Sequence, residues 1–320
     1  MSFLPLHTFA PFGRVPRDWM MLVLKSFFDE SGKEDDPNLS ACSVAGYVTE
    51  VGVWEAFERR WRGALDLFEV PYFHMKEFGA PNGPYAKWRE GRDGEREDFL
   101  KALISVIEGC ALTGIGSLVR LTDLRRFNRE FGTRLDAYAL CIYGCFLELR
   151  EMFPHAQMQM VVDGFPGVSS KIEAARQYAA SDGYYREIGP YVAKQLTVTP
   201  LAEGITFRCV LPIQAADFAA WEIRKSSERK NEWFEFIRPA VPPENRQSSM
   251  LNWTILDGVK KRGKFDIPGD LERKSLQALQ KAARIDGPYW DYDILVAAHK
   301  ARGGAWGGAP RKKRSRGKLS

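Results

Sequence analysis

The chain contains no apolar stretch near the ~20 residues that a membrane-spanning helix needs, so no membrane is expected as a partner. It is also poor in cysteine patterns. Cys42, Cys110, Cys141, Cys145 and Cys209 form no Cys-x-x-Cys pair, and their number is odd. Cys141 and Cys145, four apart in a helical pattern and without nearby histidines, read as buried thiols rather than zinc ligands. A reducing cytoplasm is the natural compartment for such thiols. The first 20 residues lack the basic start and clean apolar segment of a signal peptide. Met20 and Met21 directly precede the first strand, so the segment before them reads either as a loose extension or as a misassigned start. No internal repeat is present.

The body lacks a net positive charge as well. Arg311, Lys312, Lys313, Arg314, Arg316 and Lys318 place +6 in the last ten residues, which leaves 46 − 6 = 40 basic against 41 acidic side chains elsewhere. A net of −1 excludes a generally basic nucleic-acid-binding body. The tail follows Gly303–Pro310, a flexible-linker composition. It reads either as a polyphosphate-seeking arm or as a disordered solubilising end.

What is present is ordinary globular material. The chain has 320 residues, 45% hydrophobic and 27% charged, enough for one large core or two small ones. Strands are expected at 22–28, 40–48 (antiparallel to the first), 70–73, 115–121, 158–162, 194–199 and 206–210. Helices are expected over 53–68, 94–109, about 133–153, 168–181, 213–228 and 270–284. A Gly/Pro/Asn loop fills 79–92. Antiparallel strands first, then alternating strand and helix, predict an α/β fold: a mixed sheet flanked by helices on both faces.

Three aspartates stand in unusual places. Asp29 follows the apolar run Leu22–Phe28 and precedes Glu30–Ser31–Gly32. Asp163 follows Met158–Val162 and precedes Gly164. Asp217 lies in the mostly apolar helix Pro212–Trp221. Carboxylates converging from two strand ends and a helix packed across them suit a hard divalent cation, Mg2+ or Mn2+, and metal-assisted phosphodiester cleavage. Gly32 and Gly164 would let the backbone veer away and leave room for substrate. His74 and Glu77, three apart, share a face if a helical turn follows His74. Glu77 is then a candidate fourth carboxylate, and His74 a ligand or the group that positions or deprotonates water. Lys76 is a candidate point charge for a phosphate. Bland readings stand beside these. Asp29 and Asp163 also fit turn formers. Asp217 could pair with Arg224 two turns on, and Gln214, one turn earlier, could instead hydrogen-bond Asp217 or substrate. Glu30 alternates away from Asp29 and ranks below it, as an exposed loop acid.

Phe-Phe-Asp-Glu-Ser-Gly at 27–32, His-Met-Lys-Glu at 74–77, Val-Val-Asp-Gly at 161–164 and Pro-Ile-Gln-Ala-Ala-Asp-Phe-Ala-Ala-Trp at 212–221 together resemble a bacterial and phage family, domain of unknown function 3800. The similarity spans roughly residues 22–228. It implies a ribonuclease H-like fold, with a five-stranded mixed sheet and a divalent-metal nuclease site. Under it, Asp29 matches the first-strand aspartate, Asp163 the fourth-strand aspartate and Asp217 the late-helix acid. The glutamate that ribonuclease H-like enzymes carry on an early helix has no clear counterpart, Glu77 being the best match.

The resulting expectation is a metal-dependent nuclease with nucleic acid, DNA or RNA, as its partner. Asp29, Asp163, Asp217 and Glu77 would hold the metal, and His74 or Lys76 would handle water or phosphate. The alternatives are a catalytically silent nucleic-acid-binding module and a partner protein of a toxin or phage-defence system. Trp233, Phe234, Trp253, Tyr289 and Trp290 would be the latter's docking surface unless they cap the core. Four segments are expected: an extension at 1–20, the core at 21–230, a helical and aromatic extension packed on it at 231–300, and a flexible basic tail at 301–320.

Overall fold

A computed structural model describes residues 23–32, 34, 36, 38–89, 93–110, 112–165, 167–182, 187–228, 253–254, 284–304 and 306. The 1–20 extension, the predicted 270–284 helix over residues 270–283, Trp233, Phe234 and the basic residues 311–318 lie outside the described residues.

The strands are β1 (Val23–Ser31), β2 (Ala41–Glu50), β3 (Thr113–Arg120), β4 (Gln157–Val162), β5 (Leu196–Pro200), β6 (Trp253–Thr254), β7 (Arg284–Asp286) and β8 (Tyr289–Trp290). They form one sheet in the order β5-β4-β1-β2-β3-β7-β6, with β8 also on β3. β1, β2 and β3 are antiparallel neighbours. β4 runs parallel to β1, and β5 parallel to β4. The carboxyl ends of β1, β3, β4 and β5 therefore lie at one end of the sheet. The class is α/β, as the order of elements predicts.

The helices are α1 (Val51–Leu67), α2 (Met75–Gly79), α3 (Asp93–Gly109), α4 (Leu121–Phe131), α5 (Ala137–Met152), α6 (Val168–Ala180), α7 (Ile188–Lys194), α8 (Leu211–Glu228) and α9 (Tyr292–Ala301). Alternation along the strands divides them between two cores. Phe27, Ala45, Tyr47 and Val161 pack with α1, α3 and α8. Phe28, Val44, Val48 and Val162 pack with α5, α6 and α7. On α8, Ala215, Ala216, Ala219 and Ala220 are all fully buried. Such small side chains let the helix lie close on the sheet, where Ser43 Oγ donates to the Ala220 carbonyl at 2.8 Å.

Two predicted strands are not strands. Residues 70–73 pair with no described strand: Val70 N donates to the Leu65 carbonyl, Pro71 has no N–H, Phe73 N donates to Gln214 and the following His74 N to Tyr85. Residues 206–210 contain a 3-10 turn, Phe207–Cys209. Four described helices, α2, α4, α7 and α9, are additional to the expected ones. α4 buries Leu121, Leu124 and Phe127, a three-and-four spacing, and stops at Gly132 with φ 63°. α7 is only seven residues long with Pro190 in its first turn, which reads as a break rather than a helix.

The segment beyond 230 joins the sheet through β6, β7 and β8. Tyr289 and Trp290 are buried in the core, so they cap it and are not a docking surface. Gly287 (φ 157°) passes so close to β3 that a Cβ there would sit 1.6 Å from the Gly116 carbonyl oxygen. The start of the predicted flexible tail is also packed. Arg302 pairs with Asp182 at 2.7 Å in a buried bridge, its guanidinium lies 4.2 Å over the buried Trp306 ring, and Tyr143 also donates to Asp182. One aromatic and one cation outweigh the glycines around them. Among the described residues no helix is long and apolar enough to cross a membrane. All five cysteines are free and four are buried.

Candidate metal centre

Asp29 sits inside β1, two residues before its end at Ser31. The β1–β4 register pairs Phe27 with Val161 and Phe28 with Val162, and the Asp163 amide donates to the Phe28 carbonyl at 2.9 Å. Extending that register puts Asp29 beside Asp163 on the α8 face. Asp217 comes from α8 itself, with 6% exposure against 7% for Asp29. Gly32 (φ 104°) then turns the chain where a Cβ would press the Ala41 carbonyl at 2.8 Å. Gly164 has no such need: its φ is not positive, and a Cβ there would meet only ordinary contact with Leu201 at 3.7 Å.

Asp29, Glu30 and Asp163 form the tight cluster, each with a carboxylate oxygen within 4.8 Å of the others. Glu30 thus joins the site that alternation assigns it away from. The reason is local. β4 has ended at Val162, so on that side of β1 no strand continues between the two faces, although β2 still pairs with Glu30 on the other, and a glutamate is long enough to reach round. Its Oε2 is buried with no hydrogen-bond partner, while its own amide donates to Asp29 Oδ1 at 2.7 Å.

Asp217 stands next to this cluster. It does not pair with Arg224. Its Oδ2 accepts from the Met75 amide at 2.6 Å, at the start of α2, where a carboxylate is favoured. Arg224 instead donates to Ser31 Oγ at 2.8 Å. Gln214 does not bind Asp217 either. Its Oε1 accepts from Trp61 Nε1 at 3.0 Å and Phe73 N at 2.9 Å, and its Nε2 donates to the carbonyls of Phe207 and Arg208 at 3.2 and 3.3 Å. Gln214 therefore ties together α1, the 72–75 segment and the 207–208 turn.

His74 and Glu77 do share a face, with His74 Nδ1 3.2 Å from Glu77 Oε1, though the ring nitrogen is not aligned for a hydrogen bond. Glu77 has further partners that its sequence neighbourhood conceals. Tyr72 OH donates to Oε2 at 2.8 Å, and Arg208 reaches Oε1 at 3.7 Å. The His74 ring lies on Phe207, with centroids 4.6 Å apart. Lys76 is exposed on α2.

The electrostatics follow from burying like charges together. Burial is the largest cause for every acid in the cluster. It holds Asp29 well above the usual aspartate range, helped by Glu30, Asp217 and Asp163. It raises Glu30 to about 7 against a hydrogen bond with Asp29. Asp163 is raised by burial although the Gly164 amide and His74 oppose this. Asp217 is pushed up to about 6 by burial, against His74 and the Met75 amide. A raised carboxyl contributes stability below its unfolded value and loses it as pH rises through the folded one. For Asp217 that window runs from about 4 to about 6. Asp217→Asn, whose amide oxygen can still accept from Met75, is therefore expected to stabilise the chelator-treated protein by about 2–3 kcal/mol at pH 8, with little effect near pH 4. Denaturation curves at the two pH values check this; equal shifts at both would contradict it.

The donor set fits a hard divalent cation: carboxylate oxygens only, mutually repelling, one of them buried without a partner. Comparison with protein-family models, curated proteins and solved structures finds no match for the chain.

Proposed function

We propose that the chain is a divalent-metal-dependent nuclease, hydrolysing phosphodiester bonds of nucleic acid, with a ribonuclease H-like core of the kind found in domain of unknown function 3800. The observation that carries this reading is the convergence of Asp29, Glu30 and Asp163 within 4.8 Å. The strand order β3-β2-β1-β4-β5, with an antiparallel opening and β4 and β5 parallel to β1, supports the fold assignment.

In this reading Asp29, Glu30 and Asp163 hold Mg2+ or Mn2+, and Asp217 adds negative charge from α8. The bound cation would supply Lewis acidity at the phosphodiester and favour deprotonated water. The carboxylates keep that cation at one end of the sheet, where Gly32 turns the chain away. Glu77, engaged by Tyr72, His74 and Arg208, orients His74 rather than serving as a ligand. His74, between Glu77 and the Asp163–Asp217 pair, is placed to take or position a proton of water. Lys76 offers an exposed charge at the rim.

The test is cleavage of labelled single- and double-stranded DNA and RNA with Mn2+, Mg2+ or chelator. Metal-dependent cleavage of at least one substrate is expected. Its absence from all of them with either metal would remove the nuclease reading.

A further inference from the structure

Arg208 lies in the 3-10 turn beside the acids, and no sequence motif singles it out. Its guanidinium carbon lies 4.6 Å from the Tyr72 ring centroid and 5.7 Å from that of Phe207, two rings set edge to face. Contact with two aromatic rings holds the cationic head in place, and a guanidinium with five N–H donors keeps some of them for a further partner. Gln214 Nε2 holds the backbone of the same turn through the Phe207 and Arg208 carbonyls, so the base of the side chain is anchored as well. The side chain is 45% exposed, and its carboxylate partner, Glu77, is 3.7 Å away and itself 24% exposed. That distance is an ion pair without a close hydrogen bond. Glu77 meanwhile keeps Tyr72 at 2.8 Å and His74 at 3.2 Å. Arg208 can therefore leave Glu77 without stranding it.

Resting on the nuclease reading above, we infer that Arg208 is the residue that binds the substrate phosphate, exchanging its loose contact with Glu77 for a phosphodiester at the rim of the acid cluster. The cluster gathers Asp29, Glu30, Asp163, Asp217 and Glu77 at one end of the sheet, a field that repels a polyanion. A preoriented guanidinium next to it supplies the compensating attraction at short range. Arginine presents a planar fork that matches two phosphate oxygens, which a lysine does not. The exposed Lys76 has no such anchoring and is the weaker of the two cations for this role.

The test reads binding and salt dependence rather than cleavage alone. A fluorescein-labelled single-stranded oligonucleotide is titrated by fluorescence anisotropy at several salt concentrations, with wild type, Arg208→Ala, Arg208→Lys, and Arg129→Ala on exposed α4 as a control. Asp163→Asn is included so that binding is measured without turnover. The expected result is a dissociation constant raised roughly 10- to 100-fold by Arg208→Ala, with the salt slope reduced by about 0.7. Arg208→Lys should recover the slope but only part of the affinity, and the control should match wild type. Wild-type binding with an unchanged Arg208→Ala variant overturns the inference while leaving the nuclease reading standing. No binding by wild type or Asp163→Asn overturns both.

Discussion

Replacing Asp29 or Asp163 by asparagine is expected to lower metal-dependent cleavage by about 100-fold or more, because each change removes a carboxylate from a centre worth several kcal/mol to the transition state. The same changes should leave the apo fold at least as stable as wild type. Both carboxyls are raised by burial, and Asp29 also by its acidic neighbours, so their ionisation works against folding at neutral pH. An acid kept for structure behaves in the opposite way: its loss destabilises. Activity lost with stability kept or gained is therefore the signature of a functional cluster. Cleavage assays and chelator-treated melting curves on the same preparations measure both halves. Retained cleavage, or lost cleavage accompanied by lost stability, would argue that these acids serve the fold.

The second large effect falls on a residue that touches no reacting group. Gln214→Leu is expected to destabilise the protein by about 3–5 kcal/mol. The leucine leaves the Trp61 indole N–H and the Phe73 amide without the Gln214 oxygen, and each such buried donor costs about 1–3 kcal/mol when unsatisfied. The Arg208 carbonyl loses its contact as well, while the Phe207 carbonyl keeps the Val210 amide. Gln214, Trp61 and Phe73 are all fully buried, so water cannot replace the lost oxygen for these two donors. Activity should fall along with stability, because the 72–75 segment that presents His74 and the turn that carries Arg208 are both tied to this side chain. A denaturation midpoint indistinguishable from wild type would show that the network is dispensable.

The residues differ in how far the sequence exposes them. Asp29 and Asp163 were legible because each follows an apolar strand, and parallel pairing of two such strands brings their ends together. Asp217 was legible because a carboxylate among alanines and phenylalanine needs a partner. That partner, the Met75 amide 142 residues earlier, was not readable. Glu30 was misplaced by strict alternation, which holds inside a sheet but not where the neighbouring strand has stopped. The contacts of Glu77 to Tyr72 and Arg208 depend on how two loops meet, so its sequence neighbourhood does not show them. Gln214 lay in a recognisable motif, yet its role came from residues contributed by α1 and the 72–75 segment.

The same physics separates the fold elements that were foreseen from those that were not. β1, β2, β4, α1, α5 and α8 carry long periodic patterns. α4 carries one too, in Leu121, Leu124 and Phe127, but its many arginines and its position directly after β3 concealed it. The short β7 and β8 are set by pairing with β3 rather than by their own sequence. Arg302 and Trp306 look like linker residues, and their burial comes from distant partners: Asp182 and the Tyr178 carbonyl for Arg302, and the Tyr178 and Phe127 rings for Trp306.

Anomalous diffraction from a crystal soaked in Mn2+ tests the central claim most directly. A peak is predicted between the carboxylates of Asp29, Glu30 and Asp163, and it should vanish in Asp163→Asn. A soaked crystal with manganese bound elsewhere and no density among these three acids would contradict the account.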